Sequence, residues 1–142
     1  MENLERIEHP EYFSFQKNHT LGFFNTSENL EQALAALRSH GMDDSFFRLY
    51  EGESGIHAID LDGGKHSMME RYARLIQKIY GSGDWRLLED ADSQIREGHF
   101  LLSVFTEDDE AKAEIVEVFK AFGAHDIRYL SPIYVEEISI YD

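Results

Sequence analysis

Residues 19–41 read HTLGFFNTSENLEQALAALRSHG, and residues 99–123 read HFLLSVFTEDDEAKAEIVEVFKAFG. Each opens on a short apolar run, His19 to Asn25 in one and His99 to Thr106 in the other. Each then offers hydroxyls for an N-cap, Thr26 and Ser27 against Thr106, the latter followed by Asp109 to suit the helix dipole. Apolar residues follow at helical spacing: Leu30, Ala33, Leu34 and Leu37 in the first, and Ala111, Ile115, Val118, Phe119 and Phe122 in the second. Gly41 and Gly123 end the helices. Ser45 to Tyr50 (SFFRLY) and His125 to Leu130 (HDIRYL) then have strand character. The pattern is strand, helix, strand, twice. Two such β-α-β units most economically make an α+β, ferredoxin-like sandwich on an antiparallel sheet.

Between the copies, residues 52–97 are too many for a plain loop. Ser67 to Tyr80 carries Tyr72, Leu75, Ile76 and Ile79 on one side, and Asp84 to about Arg96 carries Trp85, Leu88, Ala91 and Ile95. The segment is read as a helical hairpin inserted between strands 2 and 3. Leu21 and Phe23 alternate with Phe24, while Phe100, Leu102 and Val104 alternate with Leu101 and Phe105, so both faces of the inner strands are apolar. The two β-α-β helices cover one face, which leaves the hairpin, a second subunit or both for the other. That face, together with the β-rich tail Ile133 to Tyr141, sets up the expectation of a homodimer. The tail either lengthens strand 4, folds over the sheet or adds to a partner's edge. Tyr12, Phe13 and Phe15 are candidates to dock on the body. The whole is expected to be a single domain over 1–142: an N-terminal extension at 1–18, a first unit at 19–51, the insertion at 52–97, and the second unit with the tail at 98–142.

Four segments carry a resemblance: LGFFNTSENLEQALAALRSHG, GIHAIDLDGGKHSMMERYARLI, REGHFLLSV and FGAHDIRYLSPIYVEEI. Together they resemble small bacterial ferredoxin-like domains associated with general stress proteins of the 17M type, over most of residues 20–138. The resemblance implies a fold and an association with stress, with no catalytic residues to carry over.

Composition narrows the chemistry. The 28 acidic residues outnumber 13 basic ones for a formal charge of −15, which argues against nucleic acid and against anionic membrane surfaces as partners. There is no cysteine, so disulfides, thiolate metal sites and cysteine nucleophiles are excluded, and no cofactor is indicated. With no apolar run long enough to span a membrane and no signal-like start, a cytoplasmic location is the default expectation.

Two places in the chain invite a functional reading. Asp60 to Ser67 (DLDGGKHS) has the glycines and lysine of a phosphate loop, but a Walker A pattern needs glycine where Ile59 stands, and His66 follows the lysine. Ser67 and Glu70 instead make a capping box after the Gly63-Gly64 turn, with an anion beside Lys65 at the helix start as the alternative. The second place is the histidines. With strands 1 and 3 read as parallel neighbours, His19 and His99 start at one rim. The insertion then brings His57, Asp60, Lys65 and His66 to the same rim, while His125 falls at the opposite end. Imidazoles and carboxylates without thiolate suit either acid-base chemistry or a metal, against the ordinary reading of strand-end and loop histidines. Likewise Tyr72, Tyr80 and Trp85 either line an apolar pocket or belong to the core. Two functions follow: a non-enzymatic, self-associating domain that binds a small ligand or protein partner, or a small enzyme or metal-dependent protein with a His/Asp site at the rim.

Overall fold

In the computed structural model, which describes residue 4 and residues 6–80, 82–131 and 135–139, the run HTLGFF forms strand β1, His19–Phe24. Helix α1, Ser27–Ser39, follows, and the Thr26 hydroxyl caps it by accepting the Asn29 N–H at 3.1 Å. Strand β2 spans Phe47–Tyr50. It starts two residues later than the sequence suggests, because the Asp43 carboxylate accepts the Ser45 N–H and winds Asp44–Phe46 into a 3-10 turn. The second unit repeats the plan with β3, Phe100–Phe105, then α5, Asp109–Ala121, and β4, His125–Leu130. Its cap is Asp108, which accepts the Ala111 N–H at 2.8 Å. Thr106 is not the cap, since its buried hydroxyl is taken up by Thr20 at 2.7 Å and by the Val104 carbonyl. Gly41 and Gly123 both adopt positive φ, as helix stops do.

A fifth strand, β5 (Val135–Ser139), turns back along β4 and occupies the edge of the sheet. None of the three courses expected of the tail describes this hairpin. Residues 132–134 and 140–142 of that tail lie outside the described residues. The strand order is β2-β3-β1-β4-β5 and every pairing is antiparallel, giving an α+β fold on an open five-stranded sheet. β1 and β3 are neighbours, but they do not run parallel: His19 lies opposite Phe105, and Phe24 opposite Phe100. The helix of each unit returns the chain to a strand parallel to the first, and the strand of the other unit slots between the two.

Helices α1 and α5 cover one face, packing Leu30, Leu34, Leu37, Ile115 and Phe119 on Phe24, Phe47, Leu102 and Ile127. The approach is close. A Cβ on Gly22 would sit 2.7 Å from a Phe119 ring carbon, so only glycine lets α5 lie down on β1 at this point.

The opposite face is covered by the insertion, which holds three helices where two are expected: α2, Gly52–Ile59, α3, Met68–Tyr80, and α4, Ser82–Arg96. Ala58 and Ile59 of α2, Leu87, Leu88, Ala91 and Ile95 of α4, and Phe13 from the N-terminal segment bury Leu21, Phe23, Tyr50, Leu101 and Leu130. Burying each large side chain in such a layer contributes roughly 1.5–3 kcal/mol. The chain thus seals its own second sheet face.

Helix α3 is left outside, lying against α4. Its orientation reverses the usual rule. The side toward the body holds Ala73, Arg74 and Gln77, with Arg74 only 2% exposed. The side toward solvent holds Met68, Met69, Tyr72, Leu75 and Ile79, which are 86, 82, 64, 50 and 58% exposed. The stripe read as covering the sheet points away from it. The cause is Arg74, whose guanidinium donates to the Ile59 carbonyl at 2.9 Å, the Phe13 carbonyl at 2.8 Å and Gln77 Oε1 at 3.0 Å, and lies 4.3 Å from the Tyr12 ring centroid. Carbonyls at the end of α2 and in the N-terminal segment draw the polar side of α3 inward.

Candidate functional site

The loop between α2 and α3 is organised around Asp60, whose left-handed φ of 44° turns the chain out of α2. The Lys65 N–H donates to its carboxylate at 3.1 Å, and His66 Nδ1–H donates to Oδ2 at 2.8 Å. The glycine-and-lysine loop therefore does wrap an anion, and that anion is Asp60 itself. Ser67 and Glu70 then form the capping box, with the Glu70 carboxylate accepting the Ser67 N–H at 3.0 Å and the Ser67 hydroxyl accepting the Glu70 N–H at 3.3 Å.

His66 also donates from Nε2 to the Glu11 carbonyl at 2.9 Å. With an acceptor at each nitrogen, the ring is held as imidazolium. Burial pulls its pKa down, but the hydrogen bonds to Asp60 and Glu11 and the charges of Asp60 and Glu70 outweigh it and leave the value raised. For Asp60, burial pushes upward, while the bonds from His66 and the Lys65 amide, with the His66 and Arg74 charges, bring the net value down. Tyr12 packs its ring edge-on to His66 at 4.9 Å, and Phe13 N–H donates to the Ala58 carbonyl at 2.9 Å. Together His66 and Arg74 clasp residues 11–13 onto the insertion.

The clasp has a pH window. His66, raised in the fold, stabilises fully below the ordinary imidazole value of 6.5 and loses that contribution as pH climbs through its raised value. Asp60, lowered in the fold, contributes above the ordinary 3.8 and fades as pH falls through its lowered value. The gap in melting midpoint between the parent and His66→Gln is expected to be widest between 3.8 and 6.5 and to shrink at higher pH. A gap that instead widens at higher pH would show that the ring is held neutral.

Of the residues singled out in the sequence, the structure brings His57, Asp60, Lys65 and His66 together, while His99 makes its contacts with Gln94 and His125. His57 is exposed on α2, its ring 4.5 Å from that of His66. With Lys65, Arg96 and Glu53 it lines an open recess of about 580 Å³. His99 immediately precedes β3 and so lies at the end of the sheet opposite His19, because the two strands are antiparallel. There its ring is 5.9 Å from that of His125, the residue expected at the other rim. A chain of hydrogen bonds links them: His99 Nδ1–H to Gln94 Oε1 at 2.9 Å, Gln94 Nε2–H to Asp126 Oδ2 at 2.9 Å, and His125 Nδ1–H to the same oxygen at 2.7 Å. His19 is buried beneath Arg48. Burial first and the Arg48 charge second lower its pKa to about 4, so the ring is neutral, donating to Ser103 Oγ at 3.1 Å and accepting from Arg48 at 3.3 Å.

Among the described residues, no group of three or more His, Cys, Asp or Glu side chains is placed to hold a metal ion. His66 uses both ring nitrogens inside the protein, and His99 and His125 are tied into hydrogen bonds with Gln94, Asp126 and Asn25.

A concave surface with apolar character lies along α3. A groove of about 690 Å³ runs between α3 and α4, lined by Leu61, Met68, Tyr72, Leu75 and Trp85 with Asp62, Arg71, Arg74, Lys78 and Glu89. Two of the aromatics weighed as pocket or core, Tyr72 and Trp85, line it, while the side chain of Tyr80 lies outside the described residues. Lys78 sits 5.8 Å from the Trp85 ring centroid. Sequence reasoning found the stripe but not its direction. The missed signal is Arg74, a long cation centred on the polar side of the helix, within reach of carbonyls on neighbouring segments.

No protein-family model, no curated protein and no solved structure matches the chain. Among the described residues, no helix is long and apolar enough to cross a membrane.

Proposed function

We propose that the chain is a non-catalytic docking domain on a ferredoxin-like sheet, and that its working surface is the outward face of α3 with the groove against α4. The order β2-β3-β1-β4, with α1 and α5 on one face, supports the ferredoxin-like part of this reading. The likeness of four segments to the 17M-type stress domains fits it as well, since that resemblance brings a sheet fold and no catalytic residues. The observation that carries the functional part is the inverted helix. Five large apolar side chains, exposed from 50 to 86% and aligned on one helix, form an apolar patch of the kind that marks interaction sites. With the second sheet face covered by α2 and α4, α3 takes over as the ground for association, whether with another copy of the chain, a small ligand or a protein partner.

A hydrophobic dye tests this. It is expected to brighten on the parent and not on the Leu75→Gln/Ile79→Gln variant, whose melting midpoint should stay within about 2 °C of the parent, because both residues are exposed. A dark parent, or a variant that melts as if its core were damaged, would mean that the stripe is packed in solution and is not a working surface.

A further inference from the structure

We infer that the occupant of this face is an acidic amphipathic helix of a partner protein. The inference rests on reading α3 as a docking surface and adds the chemistry of what docks there. Length is the first argument. From Met68 to Ile79 the stripe covers eleven residue steps, about 16 Å at the α-helical rise, so three turns of a partner helix match it. A small molecule seated in part of the groove leaves the remainder wet. Met68 and Met69 at one end add adaptable apolar contact of the kind used where helices are received.

Charge is the second argument. Arg38, Arg48, Arg86, Arg96, Lys112 and Arg128 all pair with carboxylates. Among the described residues Arg71 and Lys78 form no ion pair, as is also true of Lys17, Lys65, Arg74 and Lys120; what distinguishes the two is that both line the groove on the exposed side of α3, in a chain whose formal charge is −15. They stand seven residues apart, two helical turns, along the groove side of the stripe. Asp62 and Glu89 also line the groove, so the cationic edge belongs to α3 itself and directs a partner's acidic residues there. A partner helix that lays an apolar stripe on Tyr72, Leu75 and Ile79, with carboxylates two turns apart along one border, completes both features.

A second copy of the chain fits less well. In an antiparallel two-fold pairing of α3 with itself, like edges meet, and Arg71 and Lys78 of one copy face those of the other. In a parallel two-fold pairing they face Met69 and Ile76. Neither arrangement gives the cations a carboxylate. The body's negative charge repels an acidic partner at long range, but at physiological salt this is screened beyond about 8 Å, so the local pairs decide which helix is retained.

The test uses the full chain and two labelled synthetic peptides of about 18 residues. Both carry leucine at the spacing of the stripe; one has glutamates two turns apart on one border, the other lysines there. The parent is expected to bind the glutamate peptide about tenfold or more tighter than the lysine peptide. Arg71→Glu/Lys78→Glu is expected to reverse that order with an unchanged melting midpoint. Equal binding of both peptides, or of neither while the dye still brightens, overturns this inference and leaves the docking reading standing. A parent dimer in sedimentation that Leu75→Glu dissociates overturns it in favour of a second copy. Binding to phosphatidylserine vesicles that the double charge reversal abolishes overturns it in favour of a membrane surface. If neither peptide binds and the dye stays dark, both readings fall.

Discussion

Arg74→Met is expected to lower the free energy of unfolding by about 3 kcal/mol, because it removes the guanidinium that donates to two carbonyls in the interior. The methionine preserves length and an apolar stem. What it cannot do is donate, and each buried carbonyl left without a partner costs about 1–3 kcal/mol. The loss spreads further than a single contact, since the guanidinium also stacks on Tyr12 and adds its charge near the Asp60–His66 pair. Arg71→Met on the exposed side of the same helix is the control, expected to stay within about 0.5 kcal/mol. Denaturant unfolding of the two variants decides the matter. If both are equally mild, α3 is not held by its polar side.

A pair of leucines gives the second large contrast. Leu88→Ala is expected to cost about 2–5 kcal/mol, because its side chain is fully buried between α4 and the sheet and its loss leaves a cavity. Leu75→Ala, on the neighbouring helix α3, is expected to be neutral within about 0.5 kcal/mol, since alanine is at least as good a helix former and little burial is lost. Periodicity rates the two leucines alike. Should Leu75→Ala cost as much as Leu88→Ala, α3 faces the other way in solution.

These leucines also show where sequence reasoning stops. The 3.6-residue period at Leu30–Leu37 and Ile115–Phe119, bounded by caps and by Gly41 and Gly123, is a local signal, and the helices form where it predicts. A period locates an apolar face without saying what the face meets. For α4 the sheet lay within reach; for α3 the carbonyls of Ile59 and Phe13 competed for the opposite side, and these belong to segments far away in sequence. Helix α2 was not among the helices read from the sequence, and its two glycines, Gly52 and Gly55, weaken the local helix signal. Yet a Cβ on Gly55 would lie 3.0 Å from the Tyr50 carbonyl carbon and 3.3 Å from Ile95, so that glycine serves close packing inside a helix. The placement of His19 and His99 at one rim failed on strand direction. Once β1 and β3 are antiparallel, His99 lies at the rim opposite His19 and meets His125, while His57, Asp60 and His66 stay together because they are close in sequence.

The way α3 is attached sets its thermodynamic character. Most helices are fastened by buried carbon, so releasing them exposes apolar area, raises the heat capacity and responds steeply to denaturant. α3 already shows its carbon to water and is fastened by a guanidinium on carbonyls. Detaching it adds little apolar exposure, and the opening therefore has a small heat-capacity change and a shallow urea dependence. Its amides are expected to exchange hydrogen through this local event, well before the strands of the sheet give up theirs.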